Sequence, residues 1–386
     1  MRPPSSARAR AAIVSGALIA FAALPAACSD VPDASATSDD GGVSPPQHGN
    51  DAASTDASAG DTSTNADGTP PEPCSPRETD APPEAASYPV KIAGQDAWIH
   101  DEKSAAGYFH TFDALRVGTG TQLTPRKVHV FLPRSYASGA AAGAAGGGCK
   151  RYPVLYMNDG DTAFFAGSVG KTWDVQSVLT DGYAAKSFGE IIVVAVHPLE
   201  RDREYTHAPW LTGRSCCEVS AYGQYLASAV KSFVDGVYRT LPGPSDTVIA
   251  GSSHGGLAAF HVAATHPDTF GKAIAMSSSF WAGLDGITIG GPLSTSALMQ
   301  AAGPGLASKK PRLYLDWGLV RTGGTHNSVV EDRATARGTE MAALLTGSYG
   351  YVKDTSLFTV EDPQGEHDEL SWKRRLGYAL SVMLKP

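Results

Sequence analysis

The pentapeptide Gly251-Ser252-Ser253-His254-Gly255 has residue types and spacing suited to nucleophilic acyl chemistry. A serine flanked by glycines two positions away on either side marks a sharp strand-to-helix turn that lifts the hydroxyl above a sheet edge. Gly251 and Gly255 would let strand and helix approach closely, while Ser253 would hold strained backbone angles. The amide of His254 opens the following helix and is placed to donate to a developing oxyanion, aided by the positive end of that helix. In a chain with 42 glycines the pattern alone arises too easily by chance. Its setting strengthens it, because Val248-Ile249-Ala250 reads as a buried strand and Leu257 to His266 as a helix.

The elements that must hold this turn are legible on both sides of it. Lys127-Val128-His129-Val130-Phe131 alternates as a strand ended by Pro133. Tyr152 to Met157 and Ile191 to Val196 are continuous apolar runs, closed by Asn158-Asp159-Gly160-Asp161 and by His197-Pro198. Such runs predict strands buried on both faces, hence a parallel sheet covered by helices. Tyr222, Tyr225, Leu226, Ala229, Val230, Phe233, Val234 and Val237 follow helical spacing. Further strands are expected at Lys272 to Met276, Arg312 to Asp316 and Leu357 to Val360, with helices from about Val329 to Leu345 and from Trp372 to Leu384. This alternation predicts an α/β fold with a mostly parallel central sheet and helices on both faces. Tyr88 to Thr124 declares no element, and Ser138 to Gly148, almost entirely Gly and Ala, reads as a flexible surface loop.

Six segments in order carry a family resemblance: YPVLYMNDGD from Tyr152, IIVVAVHPLERDREYTHAP from Ile191, VYRT from Val237, GSSHGGLAAF from Gly251, HPDTFGKAIAMSSSFW from His266 and GEHDELSW from Gly365. The chain resembles the serine esterases grouped with enterochelin esterase, feruloyl and acetyl xylan esterases, S-formylglutathione hydrolase and the mycolyltransferases, all of the α/β-hydrolase fold. The resemblance implies that His367 is the base, since it falls after the last strand and before the last helix. It also implies that the second oxyanion donor is the amide of Asp161. A carboxylate there would repel the oxyanion unless turned away or paired. For the acid, relatives place Asp or Glu about three residues after the glycine that here is Gly318, where Leu319-Val320-Arg321 offers none. Asp332 is the first choice, Asp316 the second and Glu331 the third, and a Ser-His dyad stays open.

Two further patches bear on substrate. Arg201, Arg203, Glu204 and Tyr205 follow a strand's carboxyl end, the side where α/β ligands bind, so Arg201 is read as substrate-binding, with a surface ion-pair network as the alternative. Trp281 is read as a wall of the acyl pocket, with core packing of Phe280 and Trp281 equally open.

The first 87 residues belong to another regime. Three arginines in Met1 to Arg10 precede the apolar run Ala11 to Leu24, and Leu24-Pro25-Ala26-Ala27-Cys28 ends it with small residues before a cysteine. Residues 1–28 are expected to be a signal peptide with a lipoprotein-like processing site, Cys28 carrying lipid, or else cleavage falls after Ala27. Residues 29–87, nearly all Ala, Ser, Thr, Asp, Gly and Pro, are expected to be a disordered linker, leaving 88–386 as the esterase domain. The acidic linker contributes to the formal charge of −8, and no basic patch suggests nucleic acid. With Cys28 lipidated, Cys74, Cys149, Cys216 and Cys217 form an even set in an oxidising compartment. A bond between neighbours Cys216 and Cys217 would distort the peptide, so a bridge from their loop to Cys149 or Cys74 is favoured. The cysteine spacing lacks a metal motif.

These readings converge on an exported, lipid-anchored or secreted serine hydrolase of the cell envelope that cleaves carboxylic esters through an acyl-enzyme, without metal or organic cofactor. Its partner would be a small-molecule or polysaccharide-linked ester, and membrane contact would come only through lipid on Cys28. The alternatives are an acyltransferase of mycolyltransferase type and a non-catalytic envelope binding protein on the same fold. Substrate identity is not legible, because the loops that select it carry no readable signature.

Overall fold

The computed structural model describes residues 77–80, 87–137, 150–167, 170–285 and 290–385. The readings of residues 1–28 and of the Gly/Ala loop at 138–148 lie outside the described residues, as do Cys28, Cys74 and Cys149.

Ten strands form one sheet: β1 (Tyr88–Ile92), β2 (Gln95–His100), β3 (Gly107–Leu115), β4 (Arg126–Pro133), β5 (Val154–Met157), β6 (Ile192–Val196), β7 (Thr247–Ser252), β8 (Lys272–Met276), β9 (Arg312–Gly318) and β10 (Leu357–Asp362). Their order is β1-β2-β3-β4-β6-β5-β7-β8-β9-β10. From β6 through β10 every neighbour is parallel, whereas β1 to β4 form an antiparallel meander whose last strand pairs with β6. The segment 88–124, which declared no element in the sequence, supplies three of these strands. β1 and β2 alternate exposed and buried residues too briefly for the pattern to stand out.

The continuous apolar runs behave as expected of strands covered on both sides. Val154 and Tyr156 of β5, with Ile192 and Val194 of β6, face one core cluster, while Leu155, Met157, Val193 and Ala195 face the other. The helices are α1 (Gly160–Ala163), α2 (Val175–Ala184), α3 (Arg201–Tyr205), α4 (Val219–Gln224), α5 (Lys231–Val237), α6 (His254–Thr265), α7 (Ala297–Ser308), α8 (Asp332–Ser348) and α9 (Glu369–Leu384). α4 to α8 contribute to the first cluster and α2 and α9 to the second. Two π-helical turns interrupt the pattern, Tyr225–Val230 between α4 and α5 and His326–Glu331 leading into α8.

The linker reading meets a boundary inside its own range. A 3₁₀ turn, Glu78–Asp80, docks on the domain: Thr79 is buried and hydrogen-bonds Tyr136 Oη at 3.1 Å and the Val237 carbonyl at 3.1 Å. Asp80 accepts from the guanidinium of Arg239, a residue only 1% exposed.

The cysteines also differ from expectation. Cys216 and Cys217 bond each other, with Cα atoms 3.7 Å apart. No cis peptide occurs among the described residues, and Cys217 absorbs the ring closure by taking φ of 85°. The distortion expected to forbid the bond is met by one backbone torsion.

Candidate active site

Every strand from β5 to β9 ends toward the same side, and β7 delivers Ser253 there. Its backbone, at φ 54° and ψ −122°, lies outside the regions that most residues favour. The flanking glycines are required by contact rather than by torsion. A Cβ on Gly251 would sit 2.4 Å from the Gly255 carbonyl oxygen, and one on Gly255 would sit 2.7 Å from an Asp159 carboxylate oxygen. The turn is secured by Ser253 N–H donating to Met276 O at 2.9 Å and Ser279 N–H to Ser253 O at 3.0 Å. In the resting arrangement Ser253 Oγ lies 3.3 Å from Ser279 Oγ.

His367, between β10 and α9, lines the same cavity of about 560 Å³ as Ser253. Its amide donates to Asn327 Oδ1 at 2.9 Å, and its ring packs edge-to-face with Trp372 at 5.2 Å between centroids. Nδ1 lies 2.5 Å from Glu331 Oε2. Glu331 is wholly buried, and its other oxygen accepts from the Ser277 hydroxyl at 2.9 Å and from the Gly318 amide. Burial alone would raise its pKa, but the hydrogen bond and charge of His367, with the Gly318 amide and Ser277, hold it below the ordinary carboxylate range.

The carboxylate that meets His367 is therefore Glu331, the third of the three candidates. Asp332 does not reach His367: its carboxylate is exposed and binds Arg321 Nε at 2.9 Å. Adjacent helical residues point about 100° apart, so Glu331 faces the sheet while Asp332 faces outward. Asp316 is equally unavailable, because Arg375 holds it through Nε at 2.9 Å and Nη2 at 3.0 Å. Arg321, in the position where relatives carry the acid, staples its loop by donating to the Gly318 carbonyl at 3.0 Å and Thr335 Oγ1 at 2.7 Å. The π turn ending at Glu331 sets which carboxylate turns inward, a register that sequence does not announce.

Both expected oxyanion donors border the cavity, His254 as the first residue of α6 and Asp161 within α1. The Asp161 carboxyl is half-buried and its pKa is raised, first by desolvation and then by nearby Asp159, against smaller lowering from its own amide and Arg201. Removing this charge should favour a developing oxyanion. Asp161→Asn is expected to raise kcat/KM about two- to fivefold toward a neutral ester, the size of a screened charge interaction. Steady-state kinetics at constant ionic strength would check it, and a fall in rate would show that the carboxylate helps rather than hinders.

Arg201 and Trp281 also line the cavity. Arg201 binds Asp159 through Nε at 2.7 Å and Nη2 at 2.9 Å, so its charge is already neutralised. The rest of its patch is structural: Glu204 pairs with buried Arg126, and Tyr205 Oη accepts from the Asp159 amide at 2.9 Å. Phe280 packs in the core against Phe260, whereas Trp281 contributes to both core and cavity wall. Lys171, another cation at the cavity, is paired with Asp368 at 2.8 Å. Asp161, Asp202, Glu366 and Glu369 border it as well, so the cavity is acidic. Among the described residues no cluster of His, Cys, Asp and Glu could hold a metal ion. Ser277, Ser279, Asn327, Trp210 and Trp372 carry no separate site signal in the sequence; Ser277 and Ser279 lie within HPDTFGKAIAMSSSFW and Trp372 within GEHDELSW, while Asn327 and Trp210 lie outside the segments that carry the resemblance.

A model of the family described as "Putative esterase" matches residues 121–381. A curated relative, the uncharacterized protein YbbA of Bacillus subtilis (strain 168), is 23% identical over 163 residues, 40% of this chain and 58% of that protein. The chain thus matches little more than half the length of that relative. Among solved structures, an IroE-like serine hydrolase from Shewanella oneidensis superposes with a TM-score of 0.51 at 16% identity, covering 70% of this chain and 78% of that one. The BES protein from Bacillus cereus gives 0.52 at 15% identity, covering 74% and 100%. At such identities the likeness speaks for the fold, that of the α/β hydrolases.

Proposed function

Because the chain belongs to the family described as "Putative esterase", we propose that it is a carboxylic ester hydrolase that works through an acyl-enzyme on Ser253, with His367 as base and Glu331 as the residue that orients it. The observation that carries this reading is the 2.5 Å contact between His367 Nδ1 and buried Glu331, in the cavity where Ser253 stands on its strained turn. With Nδ1–H donated to Glu331, Nε2 keeps a lone pair free to accept a proton. Substrate binding would draw the Ser253 hydroxyl away from Ser279, since such contacts often tighten only in the Michaelis complex. Oγ then attacks the ester carbonyl as its proton passes to Nε2, and the amides of His254 and Asp161 receive the oxyanion. Collapse breaks the C–O bond, with Nε2 returning the proton to the leaving alcohol. Water repeats the cycle on the acyl-enzyme and releases the acid. The acidic cavity favours a neutral or cationic ester over an anionic one.

A fluorophosphonate probe tests this directly. Wild type should be labelled at Ser253, and Ser253→Ala should not, with ester turnover falling by about 10⁴-fold or more. An unlabelled wild type would sink the catalytic reading in favour of a binding protein. Release of free acid in the presence of an alcohol acceptor, without a transferred ester, would exclude acyl transfer. The same proposal includes export and lipid on Cys28, supported by the signal-like start and by the Cys216–Cys217 bond, which needs an oxidising compartment.

A further inference from the structure

The loop between α3 and α4 reaches the cavity with one large side chain, Trp210. The indole lies 5.4 Å from the His254 ring and 6.0 Å from Trp281, in edge-to-face contact with the latter. Arg214 covers it, its guanidinium 5.3 Å from the ring centroid, and is anchored 3.7 Å from Asp202. Asp202 in turn lies 3.6 Å from His254 Nδ1, the residue next to the serine.

The neck of this loop is held where the two cysteines sit. Cys217 N–H donates to the Thr206 carbonyl at 3.0 Å, and Glu218 N–H donates to the Arg203 carbonyl at 2.9 Å. The Thr206 hydroxyl closes on the Asp202 carbonyl at 2.6 Å. The bond from Cys216 to Cys217 makes a small ring at the point where the chain leaves the loop, and holds Cys217 at positive φ. Positive φ is uncommon for a residue other than glycine, so opening the ring removes one of the constraints that keep the neck in this shape. The loop buries little apolar surface besides Trp210, and Leu211 is 54% exposed, so packing alone does not fix it.

We propose that Trp210 is a specificity-determining residue that contacts the part of the ester lying along the Trp281 wall, and that the Cys216–Cys217 ring is the clamp that positions it. This rests on the esterase reading above. Ser253, His367 and Glu331 stand on other elements than this loop, and the His254 amide belongs to the backbone of α6, so the loop meets the reacting groups only through the His254 ring. What changes when the loop loosens is the stacking surface offered to a ring-bearing ester.

Three methyl- or benzyl-type probes separate the cases: methyl acetate, which has no ring, methyl benzoate, with a ring on the acyl side, and benzyl acetate, with a ring on the alcohol side. Trp210→Ala should raise KM about five- to tenfold for at least one ring-bearing probe, the loss of one stacking contact. Its loss on methyl acetate, which offers no ring to stack, should be smaller than on that probe, and the ratio between the two probes is the quantity that carries the test. Trp210→Phe should restore most of the ring preference. The Cys216→Ser/Cys217→Ser double variant should shift the same probe in the same direction, as should wild type after reduction by dithiothreitol, which converts the bond to two thiols. Equal losses on all three probes would overturn the specificity role, and a double variant that matches wild type would overturn the clamp. A wild type that resists fluorophosphonate would remove the esterase reading itself, a different failure. Melting curves on each variant keep misfolding apart from both.

Discussion

Glu331→Gln is expected to lower kcat/KM by about two to four orders of magnitude, while Asp332→Asn, one residue on, leaves it within about twofold of wild type. The amide keeps the shape of the side chain but loses the charge that stabilises imidazolium at His367. Through its nitrogen it can also donate to Nδ1 and so favour the wrong tautomer. Asp332→Asn only weakens an exposed pair with Arg321, an interaction of about 0–1 kcal/mol. Asp316→Asn distinguishes stability from chemistry, because it removes the more deeply buried of the two carboxylates that pair with Arg375, the other being Asp362, and should lower the melting temperature more than the rate constant. Circular dichroism melts beside the kinetics check all three. A loss confined to Asp332→Asn would mean that α8 turns in solution, and no loss in any variant would favour a Ser-His dyad.

Removing residues 1–76 should leave the melting temperature unchanged, and removing residues 1–80 should lower it by roughly 5–10 °C. The difference lies in four residues. Arg239 is buried between Asp80, the Tyr136 carbonyl and the Tyr136 ring 4.0 Å away. Deleting Asp80 leaves that guanidinium without its carboxylate, and losing one partner of a buried pair costs about 3–5 kcal/mol. The bonds of Thr79 to Tyr136 and Val237 go with it, as does that of Arg77 to the Tyr238 carbonyl at 2.7 Å. Asp80→Asn, which keeps the backbone and an acceptor, should fall between the two truncations. Equal melting of both truncated chains would show that the docked turn contributes nothing.

The parts of this molecule legible in sequence are those where local pattern and burial coincide. β5, β6 and β7 are short apolar runs because both faces are covered, and the turn at Ser253 needs its glycines for reasons of contact. His367 follows from the family resemblance carried by GEHDELSW, with which its place between the last strand and the last helix agrees. Which of Glu331 and Asp332 turns inward depends on helix register, and a π turn alters register without altering composition. General geometry disfavours a bond between Cys216 and Cys217, yet the bond forms with Cys217 at positive φ. Residues 77–80 looked like tether because their partners, Arg239 and Tyr136, are far away in sequence.

The order in which strands join the sheet has a kinetic consequence. β5 lies between β6 and β7, so its second neighbour is made only after the loops and helices from α3 to α5 have been synthesised. Until Met157 finds Ala250, one edge of an uncharged apolar strand stays open. Pairings so distant in sequence close slowly, and an unpaired apolar edge invites association with other chains. The chain should therefore be most vulnerable to aggregation while β7 is still missing. The strand that delivers the serine is then also the one that covers the second edge of β5.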